Sequence, residues 1–355
     1  MKKRVIWILT ISVIFCGWLA MTCTSHAAGG KWEQLADMPT PRAAFAADVV
    51  DGVIYVIGGG RLWAQAHLGP IEAYDTLTNT WAKKAAMPTP RVWPSISVVD
   101  GILYVIGGRR NDGVSGAVEA YNPVTDTWVK KSPMPTPRFV LSTTVIDGKI
   151  YAIGGIPDWA PGLSTVEVYD PKTDTWTKKA DMPTPRLALT TGAIAGKIVA
   201  IGGMDRGGPG DWFAVSAVEV YEPQTDTWTK KAEMPTPRGR LSPSGCVVGE
   251  QIYVIGGTRD RDRAGTSTVQ AYTPKTDTWA NKADMPTPRA YPATAVVNGK
   301  IYVMGGFPVY DLVAPAVATV EVYTPDGLPF AVSPQDKLPL LWGTLKSGQP
   351  FTGQR

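Results

Sequence analysis

The sequence predicts an all-β fold: a six-bladed β-propeller with four antiparallel strands per blade, its last blade closed by the amino-terminal strand. Three observations lead there. The pentapeptide Met-Pro-Thr-Pro-Arg occurs six times, beginning at Met38, Met87, Met134, Met182, Met234 and Met285, at spacings of 47 to 52 residues. Each copy precedes the same series of short apolar stretches separated by turn residues. Where the sixth copy breaks off, the missing piece is found at the other end of the chain.

The third repeat shows the elements in order. Leu141 to Ile146 is a mostly apolar first strand. Asp147-Gly148 is a two-residue hairpin turn, because both residues tolerate positive φ. Lys149 to Gly155 is apolar almost throughout, as expected of a strand buried on both faces. It ends in paired glycines, which suit close approach of a neighbouring backbone. A loop of variable length follows, then the alternating strand Val166-Glu-Val-Tyr169. Asp170-Pro-Lys-Thr-Asp174 is a turn in which Asp174 is expected to bond its own backbone. A fourth strand begins at Trp176 and carries Lys178-Lys179, and lysine on a sheet edge discourages pairing with another chain. One such sheet has two apolar faces to cover. Six arranged radially cover one another.

The sixth repeat has three strands and no tryptophan in register after Tyr323. Lys31-Trp32-Glu33-Gln34-Leu35 precedes the first pentapeptide and supplies the absent strand. Residues 28–323 are therefore expected to form the propeller, and residues 324–355 a proline- and glycine-rich tail.

Residues 1–27 read as a secretory signal: Lys2-Lys3-Arg4, then an apolar run from Val5 to Met21, then small residues at Ser25 and Ala27. The protein is accordingly expected to be secreted or periplasmic, free of the membrane once the signal is cleaved. Without Lys2, Lys3 and Arg4 the formal net charge of +4 falls to +1, which excludes the basic field of a nucleic-acid binder. One cysteine, Cys246, then remains, so no internal disulfide can form.

The glycine pairs (Gly58-Gly59, Gly107-Gly108, Gly154-Gly155, Gly202-Gly203, Gly256-Gly257, Gly305-Gly306) carry a resemblance, together with a tyrosine and a tryptophan per repeat (Tyr169 and Trp176 in the third). The chain resembles the kelch-repeat family of propellers, a bacterial secreted member, over residues 31 to 323. The resemblance implies the fold and leaves many roles open.

Strand polarity puts the loops between second and third strands on one face with the pentapeptides. These loops vary while the opposite turns repeat, and variable loops on a rigid scaffold are where binding residues reside. Trp63, Trp159 and Trp212 fall in them. In kelch adaptors the residue two after the Pro-Arg pair faces the ligand; here those positions are Ala44, Trp93, Val140, Ala188, Arg240 and Tyr291. Trp93, Arg240, Tyr291, Trp63, Trp159 and Trp212 are therefore the expected ligand-binding residues. Tryptophan, tyrosine and arginine are the residues that dominate binding energy. The six pentapeptide arginines, repeated without variation, read as structural, bonding loop carbonyls.

The function expected is a non-catalytic, monomeric, extracytoplasmic module binding a protein or glycan. The alternative is a sugar-active enzyme resembling kelch-type sialic-acid mutarotases, which needs an acid and a base at a sugar carbon. Asp112, Asp158, Asp205, Asp211, Asp260 and Asp311 lie on the right face for that. No metal or cofactor is expected. The kelch copper oxidases need several histidine ligands, and beyond the signal this chain has His67 alone.

Overall fold

Where the repeat places four strands, a four-stranded antiparallel sheet forms, six times over. The structure, a computed structural model, describes residues 29–60, 68–158, 160–208, 211–259, 263–309 and 315–326. Each blade is named here by the pentapeptide that opens it. Blade 3 runs Ser142–Ile146, Lys149–Ile153, Val166–Asp170 and Thr175–Lys178, adjacent in that order from the axis outward. Asp147 and Gly148 sit at φ 51° and 70°, the hairpin geometry that their sequence predicts.

The ring closes as expected. Lys31–Gln34 pairs antiparallel with Val320–Thr324, with Trp32 opposite Tyr323, and so becomes the outer strand of blade 6. The apolar cores lie between blades. Tyr55 and Ile57 of blade 1, for instance, pack with Leu103, Val105 and Tyr121 of blade 2. The glycine pairs make these approaches possible. Gly107 is at φ 65°, and a Cβ there would lie 2.5 Å from the carbonyl oxygen of Arg138 in the next blade. Cys246 is a free thiol inside one such core, where burial pushes its pKa up to about 12.

Polar clamps join the blades at their outer edges. The Trp176 indole of blade 3 donates to the carbonyl of Ser132, which follows the outer strand of blade 2, at 3.0 Å. The amide of Ser132 donates to Asp174 of blade 3 at 2.9 Å, and the Tyr169 hydroxyl donates to the same oxygen at 2.5 Å. Asp174 thus bonds the neighbouring blade and its own tyrosine. The local turn bond expected of it is made instead by Asp170, which accepts from the Lys172 amide at 3.0 Å. The same clamp recurs through Trp128 and Asp126, Trp228 and Asp226, and Trp279 and Asp277. Asn79 takes the aspartate's place beside Trp81. At the closure Trp32 donates to the Ala283 carbonyl at 2.9 Å, and Tyr323 donates to the Gly29 carbonyl.

Blade 5 departs from the pattern at its inner strand. In the other five blades the first hairpin turn begins nine residues after the pentapeptide arginine; here it begins at Gly249, eleven after Arg238. The paired inner strand shrinks to Cys246–Val248. The preceding Ser242-Pro-Ser-Gly245 leaves the sheet, and Pro243 brings no amide to a ladder. Ser142 of blade 3 donates to the Pro243 carbonyl, and Thr294 of blade 6 to the Ser244 carbonyl at 2.9 Å. The Gly245 amide donates to the Thr191 carbonyl of blade 4 at 2.8 Å. Blades 3 and 6 face each other across the ring, so a segment bonded to both occupies its axis. The central channel is plugged by the chain's own backbone.

Candidate functional site

The invariant arginines turn inward rather than toward ligand. All six are buried, and in five blades the arginine reaches the glutamate of the third strand. Arg42 meets Glu72 at 2.8 Å, Arg91 meets Glu119 at 2.5 Å, Arg186 meets Glu219 at 2.8 Å and Arg289 meets Glu321 at 2.6 Å. Arg138 pairs with Glu167 in the same way. The guanidinium also donates to strand carbonyls, as Arg138 does to Ala152 at 3.0 Å. Bonds to loop carbonyls, the ones expected, are made as well: Arg186 donates to Ala217 O at 2.7 Å and Arg289 to Thr319 O at 3.0 Å. The carboxylate partners, 28 to 33 residues away, were not anticipated. The pentapeptide threonine completes the set: Thr136 donates to Glu167 at 2.8 Å. Burial of such a charge is tolerated because the charge is paired and most of its donors are bonded, although Nε of Arg42 and of Arg138 has no partner.

Two residues further along, the chain bends sharply into the channel mouth. Ala44, Trp93, Val140, Ala188, Arg240 and Tyr291 all have φ between 49° and 56°. That conformation is uncommon for any residue but glycine and strained for a β-branched one such as Val140. Inter-blade bonds hold it. The Trp93 amide donates to Ala44 O at 2.7 Å, Ala188 to Val140 O at 2.9 Å, and Tyr291 to Arg240 O at 2.8 Å. Between blades 4 and 5 the donor is Leu241, not Arg240.

The side chains of this ring form an apolar cap. Trp93 is 8% exposed and packs on Phe139 at 5.6 Å and on Tyr291 at 6.4 Å between ring centroids. Val140, Leu187 and Phe307 join the same cluster, and Tyr291 and Trp212, half-buried, lie against it. Beneath it the cavity is about 20 Å³, room for roughly one water. Arg240 is buried and donates to the Thr258 hydroxyl at 2.7 Å. The structure thus brings Trp93, Tyr291 and Trp212 together at the mouth and holds Arg240 within its wall. Trp63, Trp159 and His67 lie outside the described residues.

Two ribbons rise from this face that strand counting missed. Arg109–Arg110 pairs with Gly113–Val114, and Met204–Gly208 with Asp211–Ala214. The Arg109 guanidinium lies over the Phe139 ring at 5.7 Å, and Arg206 lies over Trp212 at 5.6 Å. Phe213 on the second ribbon is 41% exposed. The loop carboxylates are engaged: Asp158 with Arg109 at 3.1 Å, Asp112 with Arg110 at 2.9 Å, and Asp205 with the Arg206 amide at 2.7 Å. The side chains of Asp211, Asp260 and Asp311 lie outside the described residues. Among the described residues no three histidine, cysteine or acidic side chains gather as a metal site would need, and no helix is long and apolar enough to cross a membrane.

A closed radial scaffold of six four-stranded blades with one variable face is the architecture of a β-propeller. The chain belongs to the kelch-repeat family: the KLHDC2/KLHL20/DRC7 Kelch-repeats domain matches residues 18–155 and 160–306, and the Kelch motif matches residues 288–327. Kelch-like protein 28 of Homo sapiens is 33% identical over 108 residues, 28% of this chain and 19% of that protein. Kelch-like protein terF of Aspergillus terreus is 33% identical over 100 residues, 27% of this chain and 22% of that protein. Beta-scruin of Limulus polyphemus is 33% identical over 98 residues, 26% of this chain and 10% of that protein. The matched segments thus span between a tenth and about a fifth of these relatives' own lengths. The solved structure titled "Structure of YjhT" superposes with a TM-score of 0.69 at 20% identity, over 82% of this chain and 97% of that one. That likeness is one of fold. The kelch propeller fold is consistent with a protein-binding module.

Proposed function

We propose that this chain is a non-catalytic binding module, acting outside the cytoplasm, that takes an extended protein segment across its variable-loop face. The observation that carries the reading is the closure of the channel mouth. An apolar cap over a cavity of about 20 Å³ leaves no room for a sugar at the axis, and the Ser242–Gly245 segment fills the axis below. Recognition on such a face is lateral and shallow, made by aromatic and arginine side chains around the cap, which is how protein surfaces are usually read. Among the described loop carboxylates, Asp158 and Asp112 are paired with arginines, which also speaks for binding over a mutarotase, whose acid and base would have to converge on one sugar carbon.

Peptide and glycan arrays probed with the chain from residue 28 onward test the reading, and peptides are the ligands expected. Replacing Trp212 and Tyr291 with alanine should weaken the bound peptide on the order of 30-fold, the usual effect of removing one hot spot. Trp93→Phe, which keeps the cap filled, should act in the same direction more mildly. Asp147→Asn on the opposite face should leave affinity alone. A ligand that binds the Trp212/Tyr291 double variant as it binds the parent would move the site elsewhere.

A further inference from the structure

Blade 5 breaks the arginine–glutamate rule. Gln270 stands where the other blades have Glu72, Glu119, Glu167, Glu219 and Glu321. Arg238 is nonetheless fully buried. It donates to the carbonyls of Gly256 and Thr268 at 3.0 and 2.8 Å and to Gln270 Oε1 at 2.9 Å. None of these acceptors carries a charge, and its Nε has no partner. A buried guanidinium whose acceptors are all neutral lacks the paired carboxylate of the other blades, and Asp284 offsets only part of its charge. Burial, and then repulsion from Arg259, pushes its pKa down to about 9.

The same substitution frees a second group. In the other blades the pentapeptide threonine donates to the glutamate, at 2.5 to 2.8 Å. Thr236 has no glutamate to reach. Its side of the blade opens instead into a cleft of about 730 Å³, walled by Thr236, Gln270, Trp279 and Asn281, with Arg259 and Lys282 among its lining. Across the sheet Asn281 opposes Gln270, where Lys83, Lys130, Lys178 and Lys230 oppose glutamates. Asn281 is shorter than those lysines and is tied to the Gln270 amide at 3.1 Å. Asp284 adds one negative charge to the cleft, against Arg259 in its lining and the buried Arg238 behind it, while the Lys282 ammonium lies over the Tyr253 ring at 5.8 Å.

We propose that this cleft on the flank of blade 5 binds a carboxylate side chain from an acidic protein segment. The carboxylate accepts from the Thr236 hydroxyl, lies beside Arg259, and supplies from outside the negative charge that Gln270 withholds from Arg238. The site is distinct from the aromatic cap and stands whether or not the cap binds a ligand.

Calorimetric titration of the full chain at low salt tests it, with capped tetraglutamate and inorganic phosphate as probes. Tetraglutamate should bind, and phosphate far more weakly. Gln270→Glu, which builds into the chain the carboxylate that five blades already carry, should reduce tetraglutamate affinity on the order of tenfold or more while leaving the melting temperature equal or higher. Arg259→Ser should weaken binding without touching the core. No binding by the parent chain, or equal binding by Gln270→Glu, would overturn the proposal. Phosphate bound as tightly as the peptide would overturn the assignment to a protein carboxylate.

Discussion

Five buried ion pairs of one design hold the pentapeptides to their blades, and each depends on both members. Arg138→Met would leave Glu167 charged and buried among strand carbonyls. That change should cost about 3–5 kcal/mol of stability, as breaking a buried pair from one side does. Adding Glu167→Leu should restore a large part of it, because the second charge is then gone as well. Urea denaturation of the two variants measures this; a double variant no more stable than the single one would mean that the arginine acts through packing alone. The sequence showed that the arginine is structural and left its partner hidden. The glutamate sits in a strand pattern, Val-Glu-Val-Tyr, that reads equally well as plain alternation, and only the strand register sets it opposite the guanidinium. Trp93 is similar. Its position at the mouth is legible from its distance to the pentapeptide, but its burial depends on Phe139 and Tyr291, which come from other blades.

Among elements, the inner strand of blade 5 holds the most that sequence reading missed. Its two extra residues were available as an offset of Gly249 from the other turn positions, and Ser-Pro-Ser-Gly is a poor strand. The destination of the extra backbone was not available, because it is fixed by hydroxyls on blades 3 and 6. An insertion of two keeps every later residue on its proper side, since side chains alternate with period two. Deleting Pro243 and Ser244 should therefore give a folded propeller with an unblocked axis. It should lose on the order of 2 kcal/mol, since two buried hydroxyls give up their carbonyl acceptors. Circular dichroism with a urea titration checks both halves. A variant that fails to fold, or one with an unchanged midpoint, would contradict the role given to this segment. The outer clamps carry a warning for mutagenesis: Asp174, on the face opposite the variable loops, joins two blades and is no neutral control.

At the scale of the whole molecule, the division of labour is between what repeats and what does not. Cores between blades, clamps and ion pairs recur around the ring, while among the described residues the two ribbons, the axial plug and the Gln270 cleft each occur in one blade. The scaffold was legible because six imperfect copies in one chain reveal which positions tolerate change. The ligand was not, because every feature that would select one is a departure from the repeat and has no second copy to compare with.

All of this presupposes a closed ring, and closure rests on four residues, Lys31–Gln34, paired with Val320–Thr324 and pinned by the Trp32 indole on the Ala283 carbonyl. The decisive measurement is thermal unfolding of a chain lacking residues 28–35 beside one lacking residues 346–355. The closed ring predicts that the first melts far lower, by an amount no smaller than that of Trp32→Ala alone, roughly 3–5 kcal/mol for a buried tryptophan and less for this half-buried one. It predicts that the second melts close to the parent. Equal melting of the amino-terminal deletion and the parent would show that the first strand is no latch, and the account of the propeller would fail with it.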